Sequence, residues 1–442
     1  MQRSLFILAA ISGIVYSARG AEPGKPPAEI ASGVVGDGIH DDTAGLQTLL
    51  DSGGNEVHFP SPPVCLLISK TLTIHSRQTL VLSRHTVIRL KEHSDQVMIT
   101  NADHQKGNEG ICLIGGIWDM DNLNQSLTEY HKTRIWRGRP YLPEYYIGVL
   151  MRFNNVQNLS IRGLTLKDPV TYGMQLGNLR QFTIEDITFD YNLKRSNMDG
   201  VHVHGNARWG RIANLKGTTN DDLVALNADD GGYFEMTRGP IEDVSVAGIF
   251  SENGYTAVRL LSAGSPIRRI QLANIFGTYR YNVVSFTNHR VHPGSGSTFE
   301  DVSIRGVFCS KADQGRKFDP AKPDTSHDVP IWIDAPAVVS SLTIADYHRT
   351  ESVWPAENIV IESGATVESL QISNISLINR TPGAIHVLTN KGKIGSLTMT
   401  NVYAKADGDP TRGAVVLNSG VIQHQALQNV STVNVDPGVV KP

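Results

Sequence analysis

The sequence predicts an all-β fold, a single-stranded right-handed parallel β-helix with a short N-terminal capping helix. Three observations predict it. Short segments that alternate apolar and polar residues recur from about residue 146 onward, Gly and Asn stand at the joints between them, and no segment is long enough to bury a face alone.

One set of segments reads Ile147-Gly-Val-Leu-Met-Arg, Tyr172-Gly-Met-Gln-Leu, Asp199-Gly-Val-His-Val, Asp222-Leu-Val-Ala-Leu, Thr256-Ala-Val-Arg-Leu, Asn282-Val-Val-Ser-Phe and Ile331-Trp-Ile. A second set interleaves with it, from Leu159-Ser-Ile-Arg through Phe182-Thr-Ile-Glu, Ile241-Glu-Asp-Val and Ile267-Arg-Arg-Ile to Leu397-Thr-Met. Alternation is the period of a half-buried strand. Coils stacked about 4.8 Å apart would enclose one continuous core. A β-propeller would need a period of about 40 residues, longer than most of the spacings here.

The chain has 442 residues and a formal net charge of -3, which argues against a nucleic-acid partner. Cys65, Cys112 and Cys309 are too few and too scattered for a disulfide framework or a metal site. Met1-Gln-Arg-Ser followed by an apolar run from Leu5 to Val15 and by Ala18-Arg-Gly20 reads as a signal peptide over residues 1–20. The mature chain is then exported, periplasmic or extracellular, and free of the membrane. Residues 21–442 read as one domain, with a capping segment at about 30–60 and a loop insertion at about 120–146.

The open end of a solenoid needs a cap. Residues 41–51 supply a helix, with Asp41, Asp42 or Thr43 to cap it and Ala44, Leu46, Leu49 and Leu50 on its apolar face. Gly36-Asp-Gly-Ile-His-Asp-Asp-Thr with Gln47 resembles the opening signature of the pectate-lyase-superfamily β-helices. Asp37, Asp41 and Asp42 accordingly read as structural.

The chemistry concentrates between Asn197 and Asp230. Asp199 lies three before His202, Asp222 three before Ala225 and Thr256 three before Arg259. Aligned coils therefore bring Asp199, Asp221 and Asp222 to one patch. Crowded carboxylates push one pKa up and leave another group ionised, the division that glycoside hydrolysis uses. An Asp ladder that caps the turns and a Ca²⁺ site are the competing readings.

Asn197-Met-Asp199-Gly-Val with Asp221-Asp222 one coil later resembles the polygalacturonase family of inverting glycoside hydrolases, family 28. The resemblance implies a polysaccharide or oligosaccharide substrate, Asp221 as general acid, Asp199 and Asp222 holding the attacking water, and no cofactor. Where that family has Gly-His-Gly this chain has Gly254-Tyr-Thr, and where it has Arg-Ile-Lys this chain has Ser285-Phe-Thr. The identity of the sugar is therefore open.

Further candidates for substrate contact are Asn197, His202, His204, Trp209, Tyr255 and Arg259. His202 and His204 alternate with Val201 and Val203, so both face away from the core and read as exposed. Arg259 is placed to replace part of the lost cation, and Trp209 offers a face for sugar C–H bonds. Arg280, Tyr281, His289 and Arg290 follow on the same side; Asp229 and Asp230 read as a turn. The insertion at 126–146 carries Arg134, Trp136, Arg137, Arg139, Tyr141, Tyr145 and Tyr146, and residues 311–328 form a second polar insertion. Two other functions fit the same fold. A Ca²⁺-assisted lyase or epimerase would use the Asp cluster for the ion, and a glycan-binding solenoid would use it for no reaction at all.

Overall fold

The computed structural model describes residues 33–52, 54–128, 146–230, 238–288, 294–314, 329–407 and 413–442. The predicted signal peptide, His289, Arg290 and all of the 126–146 insertion except its two ends lie outside the described residues, as does most of the 311–328 insertion.

Every strand pair is parallel, and each strand bonds to the corresponding strand one coil earlier and one coil later. This is the predicted β-helix. The inner columns follow the register: Val201 pairs with Val224, Val224 with Val258, Val258 with Val284 and Val284 with Ile331, all of them buried. On the second face Leu159, Phe182, Gly210, Val244, Ile270 and Val302 succeed one another in the same way.

The corners are built by residues that tolerate left-handed backbone. Asn155, Asn178 and Asn206 have φ of 57°, 49° and 57°. Their amides form a ladder, Asn206 donating to Asn178 at 2.7 Å and Asn178 to Asn155 at 3.1 Å. A second ladder runs from Asp346 through Asn374 and Asn401 to Asn429.

The helix Thr43–Asp51 buries Leu46 and Leu50 against the first coils. Asp42 stands at its N-cap position but does not cap it. Its carboxylate instead accepts from the Val35 N–H at 2.7 Å and the Leu67 N–H at 3.1 Å, tying the lead-in segment to the first coil. Asp41 accepts from the Thr43 N–H at 3.0 Å. Both acids are structural here. None of the three cysteines is in a disulfide.

Candidate functional site

The two strands that carry the site are Val201–His204 and Asp222–Ala228. Their register pairs His202 with Ala225 and His204 with Asn227; the next coil pairs Asp222 with Thr256 and Ala225 with Arg259. The Gly200 N–H donates to the Asp222 carbonyl at 2.9 Å, which sets Asp199 level with Asp222 at the leading edge of the sheet. A Cβ at position 200 would lie 2.4 Å from the Leu223 carbonyl oxygen, so the residue after Asp199 must be glycine. Asn197, with φ of 64°, turns the chain into this edge.

The result is one carboxylate cluster. An oxygen from each of Asp199, Asp221 and Asp222 lies within 4.8 Å of the others. Asp199 and Asp222 are buried, and Asp221 is half-buried. Burial, then the charges of Asp222 and Asp199, push the Asp221 carboxyl well above the carboxylate range, with Arg259 opposing. Burial likewise lifts Asp222 to about 7, against the pull of Arg259. Burial and the neighbouring carboxylates thus both favour the protonated form of Asp221.

The histidines are a correction. Both do face away from the apolar interior, yet His202 is 1 % exposed and His204 3 %. The ring of Tyr172 stacks on His202 at 4.2 Å, the two imidazoles lie 4.5 Å apart, and side chains of adjacent coils close around them. His202 Nδ1 is 2.6 Å from Asp199 Oδ2. Its Nε2 lies 3.2 Å from the Asn227 amide nitrogen and 3.5 Å from Asp230 Oδ2. Burial disfavours a charged ring, but the carboxylates of Asp199 and Asp230 outweigh it and hold His202 up to about 9. His204 goes the other way, pushed down to about 3 by burial and by the charge of His202. Its Nε2 faces the amide nitrogen of Gln175 at 3.2 Å.

Asp230 was absent from the predicted site. Asp229 does the turn work expected of the pair, accepting from the N–H groups of Gly239 and Ser265 at 2.7 and 2.6 Å. Asp230 instead joins the site, accepting from Asn227 at 2.7 Å. The signal for it was available: Asn227 aligns with His204, and Asp230 follows Asn227 by the same three residues that separate Asp199 from His202.

Arg259 is the second correction. Rather than standing ready for a ligand anion, its guanidinium is ion-paired with Asp222. Tyr255 is half-buried, 5.0 Å from the ring of Tyr281, with Arg280 over its face at 5.6 Å. Arg280 is itself buried and donates to the Thr219 carbonyl and the Asn220 side chain at 3.1 Å, bracing the turn that presents Asp221. Trp209 lies past the Asn178–Asn206 corner, exposed, at φ of 60°, with Arg180 and Arg208 over its ring at 4.5 and 4.8 Å.

Among the described residues two groups of side chains have metal-ligand spacing: the three aspartates, and His202, His204 and Asp230. In the first, the Arg259 guanidinium already supplies positive charge to Asp222. In the second, an Asn227 N–H donates to Asp230 at 2.7 Å.

Residues 146–239, the coils that hold this cluster, match the family model Glycosyl hydrolases family 28. Among solved structures the chain is similar to the family 28 exopolygalacturonase of Yersinia enterocolitica, with a TM-score of 0.57 and 15 % identity over 89 % of this chain and 76 % of that one. It is equally similar to a mutant tailspike protein of E. coli bacteriophage HK620 in complex with a pentasaccharide, with a TM-score of 0.57 and 12 % identity, covering 90 % of this chain and 76 % of the other. At such identities these likenesses establish the β-helix fold. Among curated proteins it is 24 % identical to plasmin and fibronectin-binding protein A of Streptococcus pneumoniae (strain ATCC BAA-255 / R6), over 64 % of this chain. The chain spans only 39 % of the length of that relative.

Proposed function

We propose that the protein is an exported glycoside hydrolase acting on a polysaccharide or oligosaccharide. The observation that carries this is the cluster of Asp199, Asp221 and Asp222, with the Asp221 carboxyl raised by burial and its neighbours, on the segment that matches the family 28 model. In this reading the Asp221 carboxyl gives its proton to the glycosidic oxygen as the C–O bond breaks. A water held by Asp199 and Asp222 attacks the anomeric carbon and passes its proton to that pair. The charge pattern supports the division of labour, since the acid is the member of the cluster without a cationic partner of its own.

The carboxylate spacing makes stereochemistry the discriminating measurement. Oxygens within 4.8 Å are closer than the roughly 6.5–9.5 Å usual between the carboxyls of inverting enzymes. The experiment is a screen of plant and algal glycans with and without chelator, reading the first-formed anomer by proton NMR. Asp221→Asn runs in parallel and should lower turnover by roughly 10³-fold while the fold is kept. Inverted product, indifferent to chelator, supports the water-activating role of Asp199 and Asp222. Retained product would make one of them a nucleophile, and an ultraviolet-absorbing product that needs Ca²⁺ would replace hydrolysis by elimination. The streptococcal relative is named for binding rather than catalysis. Glycan binding without turnover, unchanged in Asp221→Asn, would favour that second reading.

A further inference from the structure

The buried imidazole of His202 is the feature that direct substrate contact does not explain. At 1 % exposure it is out of reach of a polymer. Each of its nitrogens faces a partner within the protein: Nδ1 is 2.6 Å from Asp199, and Nε2 faces Asn227 at 3.2 Å and Asp230 at 3.5 Å. Tyr172 stacked on the ring at 4.2 Å and 18° fixes its plane. Asp199 is held by this contact through Oδ2, while its Oδ1, equally buried, accepts no hydrogen bond from the protein.

We propose that His202 is a positioning residue: backed by Asp230, it holds Asp199 through Oδ2 in the rotation that leaves Oδ1 to accept from the attacking water. The inference rests on the hydrolase reading and specifies how its base is prepared. An imidazole that links a reacting group to a buried carboxylate is oriented by that carboxylate and stabilised when charged. Here the order is carboxylate, imidazole, carboxylate, so the ring can carry a proton between two anions. On the far side Asp230 Oδ2 accepts from the Asn227 amide at 2.7 Å and lies 3.5 Å from the ring nitrogen. The other charged or titratable groups around His202 are His204 on its own strand, Asp222 and Arg259 on the next two coils, and Arg152 beneath His204. The ion pair of Arg259 with Asp222 leaves Asp199 to His202.

Two measurements test this, one of which needs no substrate. In the resting protein, ¹⁵N NMR of labelled histidine should show one imidazole that stays protonated above pH 8. Asp230→Asn should lower its titration midpoint by a unit or more. A His202 that titrates as an ordinary histidine, unmoved by Asp230→Asn, would overturn the proposal.

With a substrate in hand, His202→Asn still offers an N–H to Asp199 and should stay within about tenfold of the wild-type kcat. His202→Leu should lose roughly 100-fold in kcat with little change in KM. Its pH profile should differ from those of the wild type and His202→Asn, because the imidazole beside Asp199 is gone. Equal losses in both variants that track the folded fraction, with the pH profile unmoved, would reduce His202 to packing and sink the idea. If the wild type turns over no glycan, the hydrolase reading fails, and the imidazole titration still decides whether the Asp199–His202–Asp230 relay exists.

Discussion

Two of the places where the described residues bury charge are built in opposite ways. In the strand Val338–Glu351, Arg349 and Glu351 alternate onto one side and are both fully buried. There Glu351 accepts from Arg349 Nε and Nη2 at 3.1 and 2.8 Å, and from the N–H groups of Lys311, Val353 and Trp354 at 3.0, 2.9 and 3.0 Å. Burial alone would raise its carboxyl; Arg349 and the three backbone donors outweigh burial and lower it. At the Asp199–Asp222 edge the balance reverses. Three carboxyls share one guanidinium and one imidazole, Asp199 Oδ1 accepts nothing from the protein, and Asp221 and Asp222 are raised. A buried acid whose lone pairs are filled is structural. One that is crowded and short of donors is kept for chemistry.

The largest effect expected from this contrast is on stability at the satisfied site. Glu351→Ala leaves the Arg349 guanidinium buried without its anion and should cost about 3–5 kcal/mol. Turnover per folded molecule should be unchanged. Denaturant titration of the variant beside an activity assay checks both halves. A loss below about 1 kcal/mol would show that the hydrogen-bond count at Glu351 does not measure its contribution.

Most of the fold was legible in the sequence, because alternation and Asn corners are local signals that each coil repeats. The edge column of Asp199 and Asp222 was legible too, since counting three residues back from an aligned outward position is independent of loop length. What escaped was whatever depends on packing between coils. His202 and His204 point away from the core in any alignment, and only the stacking of Tyr172 and the approach of Asn227 and Asp230 decide that they are buried. The pairing of Arg259 with Asp222 is a cross-coil choice of rotamer that spacing does not reveal. Arg349 and Glu351 went unnoticed although their i, i+2 spacing on a strand places both on one face.

The next effect is a difference in pH response. His202 is raised to about 9, so its contribution is complete below its unfolded value near 6.5 and is lost as pH climbs toward 9. Asp222, raised to about 7, loses its contribution in the same direction over lower pH. Glu351 is lowered, so its contribution is lost only as pH falls into the acid range. Between pH 7 and 9 the loss from His202 adds to that of the raised Asp221 carboxyl, which has the same sign. Wild-type stability should fall by about 1–3 kcal/mol across that window. In His202→Asn the decline should flatten, while Glu351→Gln should keep it. A wild type that is flat from pH 7 to 9 would remove the carboxylate–imidazole charge from the comparison.

The smallest expected effect tests whether short distances alone make a charge pair matter. Arg269 meets Asp243 through two contacts, Nε to Oδ1 at 2.5 Å and Nη2 to Oδ2 at 2.9 Å, as close as any pair at Glu351. Its side chain is 46 % exposed and that of Asp243 33 %, so water competes for every donor and acceptor. Exposed pairs contribute roughly 0–1 kcal/mol, even with good geometry. Arg269→Met keeps the aliphatic stem and should leave the denaturation midpoint close to that of the wild type, with the difference shrinking further at high salt. A cost approaching that of Glu351→Ala would mean that geometry outranks desolvation in this solenoid, and the contrast between the two buried sites would then have to be redrawn in terms of contact distance.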